Sequence, residues 1–381
     1  MFRNSLRLLG VDPYQDNMLS NFIIFLVTCT ALGMVIPTFL GFHKALRDKD
    51  MDALFESLPY FIASSIGIVK LANLQLNKAN FRKLLNMVAD EWENLKLNNE
   101  LKPLEDLTKL ASTVARIYRT CILSSMTIFL SVTLLPSVLD VILPLNETRP
   151  RQQLFNVEYL FFDKDEYYYS VYLQLSWSTF VIVMVIGFVD SLYIIIIHHS
   201  SGLFAVCGEQ IKKVTEMSDA VGGRISDQIY QCKRCMVMHE KALQFYEILK
   251  ETSTKNYFFQ VGLNMMGISV QAVLLVSSLD KPDQAMKAGV LLISKQFHLF
   301  VVSLPGQVLL DHCAQLAKNI YCSKWYRTPL QIQKMIKIMQ IKANRPCALT
   351  AGGLYEMSIE NFGSTLKSCM SYVTMLLSLK E

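Results

Sequence analysis

Four ionisable residues stand inside otherwise apolar stretches of this chain: Lys70, Asp140, Asp190 and Lys295. A charge surrounded by apolar chain must be paired, snorkelled to a polar boundary, or set on an ion or ligand path. None of the four has a nucleophile, a base and an oxyanion donor set arrayed with it in sequence, so an enzyme is not expected. Cys232-Lys-Arg-Cys235, with His239 four residues on, resembles half a zinc site. A structural zinc wants four ligands, and no second pair has suitable spacing, so no metal is expected. Gly222-Gly223 and Gly352-Gly353 match neither phosphate-loop pattern, which leaves no cofactor site. His198-His199 closes a long apolar run, where snorkelling to the interface is the expected role.

A second chemical pattern lies at the C-terminal end. Met357 to Leu379, at about 1.5 Å per residue, reaches roughly 34 Å, enough for a hydrocarbon core of about 30 Å. At 100° per residue, Glu360, Ser364, Lys367, Ser368, Ser371, Met375 and Ser378 share one arc. Phe362, Leu366, Met370, Val373 and Leu377 fall opposite. Lipid cannot solvate such a stripe, so it faces protein or water. Two readings compete: burial against neighbouring helices, or a water path with Met375 as its hydrophobic constriction. The second requires an oligomer, because one helix encloses nothing.

The elements that carry these residues follow from composition. The chain has 381 residues, 52% hydrophobic and 18% charged, below the roughly 25% charge of soluble chains. This is a polytopic membrane protein. The net charge of +5 sits in particular loops, which fits membrane orientation better than nucleic acid. The first 19 residues are mostly polar and the apolar run after them suits a signal anchor, so no cleaved leader is expected. The fold class is all-α, with seven transmembrane helices near residues 20–42, 54–76, 119–143, 170–197, 256–279, 285–310 and 357–379. Six spans is the competing count.

Lysine and arginine concentrate after spans two, four and six and are sparse after spans one, three and five. This puts the N-terminus in the cytosol and the C-terminus outside. The sequon Asn146-Glu147-Thr148 then falls outside, and no cysteine does. Residues 77–118, 203–254 and 330–342 keep helical apolar spacing, so the spans are expected to continue into a cytosolic bundle. For 330–342, with Lys334, Lys337 and Lys342, lying on anionic lipid is the alternative. The chain divides into residues 1–320 as a ligand-sensing bundle, 321–356 as a cytosolic assembly segment, and 357–381 as the seventh helix.

The outer halves of the spans hold Pro59, Tyr60, Phe61 and Ile62, then Phe129, Thr133 and Ser137, then Tyr167 to Tyr169, Tyr172, Leu173 and Trp177. Aromatic walls with a few hydroxyls suit a small, largely apolar ligand. An ordinary interfacial aromatic belt is the alternative, strongest for Tyr167 to Tyr169.

The C-terminal third resembles the insect odorant receptor family. The resemblance rests on Tyr321-Cys-Ser-Lys-Trp325-Tyr326-Arg-Thr-Pro329, Leu349-Thr350-Ala351-Gly352-Gly353, Ser358-Ile-Glu-Asn-Phe362 and the run from Leu366 to Leu377. Phe161-Phe162-Asp163 before span four matches more loosely. The resemblance implies an odour-gated, poorly selective cation channel in the plasma membrane of olfactory sensory neurons. It implies a tetramer that joins a tuning subunit to a shared coreceptor, with a volatile ligand between the outer halves of spans two to six. By motif alignment Met375 falls at the gate, and Ser378 and Leu379 at the outer mouth; Ser371, on the polar stripe, then lines the pore below Met375. The last helix lacks the Gln-Phe ending of gustatory receptors, and residues 198–255 lack the coreceptor's long insertion, which favours a tuning subunit. A G-protein-coupled receptor would need the opposite orientation and shows no DRY or NPxxY motif. A secondary transporter would need internal repeats, and none is evident.

Overall fold

The computed structural model describes residues 7, 10, 14–15, 17–142, 153–159, 163–217, 224–280 and 282–380. Asn146, Phe161-Phe162 and Gly222-Gly223 lie outside the described residues. In chain order the helices are α1 (Asn17–Asp48), α2 (Met51–Leu76), α3 (Lys78–Leu97), α4 (Lys102–Ile142), α5 (Tyr168–Glu216), α6 (Ile225–Ser277), α7 (Pro282–Cys322), α8 (Leu330–Ala343) and α9 (Ile359–Lys380). A 3₁₀ turn covers Trp325–Arg327. One short hairpin departs from an all-helical fold: β1 (Thr350–Ala351) pairs antiparallel with β2 (Tyr355–Glu356).

Among the described residues six helices, α1, α2 and α4 to α7, are long and apolar enough to cross a membrane. The protein is a multi-pass membrane protein. With 22 residues, α9 reaches about 33 Å. The 49 residues of α5 and 53 of α6 reach about 74 and 80 Å, well beyond one bilayer. They project at one end, here called the base, where α5 ends and α6 begins. The other end, the rim, holds the loops after α1 and before α5.

The main core sits at the base. Leu84, Leu104, Ile197, Leu203, Cys207, Ile211, Phe245, Leu249, Leu309 and Leu349 are sealed there, drawn from α3 to α7 and the stretch before β1. Span two does not run straight on into this bundle. It ends at Leu76, and Asn77 starts α3 instead, its side-chain amide donating to the Asn73 carbonyl. The α3 helix is then latched by carboxylates. Lys241 donates to Glu91 at 2.6 Å, and Glu100 accepts from Arg234 at 2.6 Å and Gln210 at 2.7 Å.

His198 and His199 correct the snorkelling expectation. Both are buried, because α5 continues past the membrane into the base rather than ending there. His198 Nδ1 lies 2.7 Å from the Ile194 carbonyl, and His199 packs on the Phe245 ring. Residues 330–342 form α8, which buries Ile332, Ile336 and Met339 against α6 and α7 and leaves Lys334, Lys337 and Lys342 exposed. The face that would have met lipid meets protein.

Proline and glycine set the rim. Pro37 has no N–H, so the Gly33 carbonyl one turn back loses its helical partner. The Gln174 amide of α5 donates to it at 2.6 Å. The Pro37 carbonyl accepts from the Glu158 backbone at 3.0 Å. A Cβ on Gly41 would come within 2.8 Å of the Asn156 carbonyl. The proline and glycine together make a notch in α1 that seats residues 156–158.

Candidate functional site

At the rim, α2, α4, α5 and residues 153–159 enclose an aromatic cluster. Tyr60 lies 4.2 Å from Phe155 and 6.1 Å from Phe129 between ring centroids, and Phe129 stacks on Phe155 at 6.0 Å. Tyr172 donates to the Leu130 carbonyl at 2.7 Å, which ties α5 to α4. Thr133 is buried and turned back onto the Phe129 carbonyl. Beside the cluster lies a small cavity bounded by Phe155, Lys164, Tyr168, Tyr172 and Leu175. The Ser137 hydroxyl is buried with no hydrogen-bond partner among the described residues.

The structure thus gathers Tyr60, Phe129, Thr133 and Tyr172. Phe61 lies one step away, half-buried and 6.4 Å from Phe39. Leu173 and Trp177 do not join the group: they point outward from α5, and Trp177 stacks along its own helix on Phe180. Sequence reasoning missed Phe155, which is 2% exposed and fills the middle of the cluster. The available signal was the apolar trio Leu154, Phe155 and Val157 inside a loop, because such residues leave water only by packing into a core.

The segment that carries Phe155 acts as a plug in the cluster and is pinned through Glu158. Glu158 accepts from Lys44 at 2.9 Å and from Lys164 at 3.0 Å. Burial pushes the Glu158 carboxyl up, but the two lysines pull it down further, so it is held below the ordinary glutamate value.

On α9, Asn361, Phe362, Thr365 and Cys369 turn toward the chain's own bundle. Phe362 packs on Phe300 at 5.3 Å. Glu360, Ser364, Lys367, Ser368, Ser371, Met375 and Ser378 are all exposed. The chain's own helices leave the stripe uncovered, which removes burial within one subunit as its explanation. The side chain of Leu379 is outside the described residues. The helix is seated by a close approach: a Cβ on Gly306 would come 2.1 Å from the Met357 carbonyl, and Gln307 accepts from the Ile359 N–H at 3.1 Å.

Between rim and base, five helices meet at Asp190. Lys70 of α2 forms a buried ion pair with it. Tyr118 of α4 donates at 2.8 Å, His298 Nε2 of α7 lies 3.1 Å away, and the Gln260 amide of α6 lies 3.4 Å away. One turn along, Asn73 donates to Tyr193 at 2.6 Å. Ion pairing therefore accounts for two of the four intramembrane charges. Lys295 lays its chain over Gly267, where a Cβ would meet its Nζ at 2.7 Å. Asp140 is half-buried near the rim end of α4.

Cys232, Cys235 and His239 are buried in the base core, and the described residues hold no cluster of three metal-ligating side chains. Gly352 and Gly353 adopt φ of 62° and 77°, the left-handed region that the β1–β2 turn requires. A Cβ on Gly352 would also strike Phe258 of α6 at 2.5 Å.

Taken together, these features describe a helical membrane protein with an aromatic-lined rim and an exposed polar helix. A profile of the 7tm odorant receptors matches residues 50–370, so the chain belongs to the insect odorant receptor family, which comprises receptors and not enzymes. It is 21% identical to odorant receptor 9a of Drosophila melanogaster, over 98% of this chain and 93% of that receptor. It is 39% identical to odorant receptor 49a of the same species over 70 residues, 18% of this chain and 17% of that one. The insect olfactory receptor OR5 from Machilis hrabei, solved in complex with eugenol, has the same fold. The TM-score is 0.76 at 12% identity, covering 99% of this chain and 97% of that one.

Proposed function

We propose that this odorant receptor is the tuning subunit of an odour-gated, poorly selective cation channel. It binds a small, volatile, mostly apolar molecule at the rim. The carrying observation is the exposed stripe on α9. A polar face of that length is not stable against lipid, and its own subunit does not cover it. Water shared with neighbouring subunits answers both facts. Ser371, Met375, Ser378 and Leu379 then line the path, with Met375 narrowest.

The partner proposed is the family's shared coreceptor, in a tetramer at the plasma membrane of olfactory neurons. Residues 321–356 serve assembly. The basic loops lie at the base, which supports a cytosolic N-terminus and an external C-terminus. Tyr60, Phe61, Phe129, Thr133, Ser137 and Tyr172 are the proposed ligand-facing residues, and Phe155 joins them. Leu173 and Trp177 are proposed only as the outer wall of α5. The aromatic character of the rim and the eugenol complex of a relative support an apolar ligand. Binding opens the channel only to the extent that the ligand contacts the open arrangement better than the closed one.

The test is current recorded from cells expressing this chain with and without a coreceptor, against an odorant panel. Odour-evoked current is expected only with the coreceptor. Undiminished current without any partner contradicts the tuning-subunit reading. Tags at both ends, probed on intact cells, are expected to label the C-terminus alone.

A further inference from the structure

A second recess lies on the outside of the bundle, away from the rim. Arg116, Arg119, Thr120, Ile122 and Leu123 of α4 face Val183, Met184, Gly187 and Phe188 of α5 across a cleft of about 180 Å³. That exceeds the roughly 30 Å³ share of one liquid water severalfold, so the cleft admits a molecular fragment rather than a lone solvent molecule.

Its chemistry is divided along its length. The end toward the base carries two guanidinium groups. Arg116 is exposed; Arg119 is half-buried, its charge 5.8 Å from the Phe188 ring centroid. Among the described residues lining the cleft none is acidic. The end toward the rim is apolar, through Ile122, Leu123, Val183 and Met184. The glycine in its floor brings the helices together: a Cβ on Gly187 would meet Ile122 at 2.6 Å. The arginines stand about 34 Å or more from the rim end of α4, one bilayer thickness away.

We propose that this cleft binds an anionic phospholipid, with its phosphate on Arg116 and Arg119 and an acyl chain along Ile122, Leu123, Val183 and Met184. Charge complementarity selects the occupant. Guanidinium forks match phosphate oxygens two at a time, and basic recesses between membrane helices recognise anionic headgroups. An apolar channel running from the phosphate into the hydrocarbon suits a lipid and offers a free ion nothing. The leaflet involved rests on the topology proposed above; binding itself does not.

The test uses full-length receptor purified in mild detergent and a fluorescent phosphatidylinositol 4,5-bisphosphate probe. Unlabelled probe lipid and phosphatidylserine are expected to displace it, and phosphatidylcholine is not. R116Q/R119Q is expected to weaken binding about tenfold or more, and R116K/R119K by less than about threefold. Val183→Trp blocks the apolar half and is expected to weaken the lipid while leaving its soluble inositol-phosphate headgroup unaffected. Should the glutamine variant not fold, the lysine and tryptophan variants carry the test. Equal displacement by phosphatidylcholine, or unchanged binding in R116Q/R119Q, overturns the proposal. A soluble headgroup competing as well as the lipid overturns it in favour of a free-phosphate site. The tag experiment separates a failed topology from a failed lipid site.

Discussion

Rim and base are assembled from the same kinds of residue, yet they pack differently. At the base and the junction above it, α5 is buried almost without interruption from Val189 to Gln210, and α2, α4, α6 and α7 surround it. At the rim, Tyr60, Phe129, Tyr159 and Tyr172 are only half-buried around Phe155, and a loop replaces a helix as the central filler. A base built this way resists change, because a close-packed core has few ways to rearrange. A rim closed by a loop side chain exchanges one filler for another at small cost. The difference suits the function proposed: a close-packed base to hold subunits together and a looser rim to admit a guest.

The largest effect is expected where the two regions are joined. Removing one partner of a buried ion pair leaves an uncompensated charge and costs about 3–5 kcal/mol. Asp190→Ala should therefore abolish surface expression or lower the melting temperature of purified receptor sharply. The paired change Lys70→Met with Asp190→Leu should recover most of that loss. A single Asp190→Ala that melts like wild type would sink the idea that this residue binds five helices.

Next come two equivalent truncations. Phe204→Ala at the base should destabilise by about 3–5 kcal/mol, since no neighbour can close the gap. Phe155→Ala at the rim should lose less, about 1–2 kcal/mol, if the partly buried Tyr60 and Phe129 rings that touch it collapse into the gap. It should also shift the odorant response toward larger ligands, which Phe204→Ala should not. Equal losses from the two changes, measured by thermal melts, would erase the distinction between the regions.

The base and most of its helices were legible in the sequence, because helical apolar spacing survives wherever a face is buried. The stripe on α9 was legible for the same reason: Glu360 to Ser378 recur at helical spacing whether or not anything covers them. What faces them was not, since the chain's own helices leave them exposed. Phe155 escaped because a loop has no period to read. His198 and His199 were misjudged for a related reason: an apolar run ending in two polar residues looks like a membrane boundary, when the helix in fact continues into protein. The Asp190 node was half legible. Each charge could be marked in its own span, but the pairing of Lys70 with a residue 120 positions away is set only by packing.

Smaller in stability, but direct for function, are changes on α9. Met375→Ala removes the one bulky apolar side chain on the polar face and should change ion permeation or rectification with unaltered assembly. Ser378→Glu places a charge on the same face and should raise cation preference. Permeation identical to wild type in well-expressed mutants would move the wet face elsewhere. This contrasts with the rim, where substitutions should alter odour sensitivity and leave the open channel's selectivity intact.

The smallest effect concerns the clamp over Phe155. The Glu158 carboxyl is depressed below its ordinary value of about 4.3 by Lys44 and Lys164, against the opposing pull of burial. A depressed carboxyl contributes stability that is present above its unfolded value and disappears as pH falls through its folded one. Lys44 is largely exposed, so screening limits the contribution to about 1 kcal/mol or less. Melting of wild-type receptor should therefore show a small extra loss as pH drops below about 4.3. Glu158→Gln should lack that increment while melting slightly lower at neutral pH. The same variant frees the segment that carries Phe155, so it should also respond to odorants at lower concentration if the plug and the ligand compete for one space. Altered melting with an unchanged dose–response would mean that the clamp steadies the loop without governing entry.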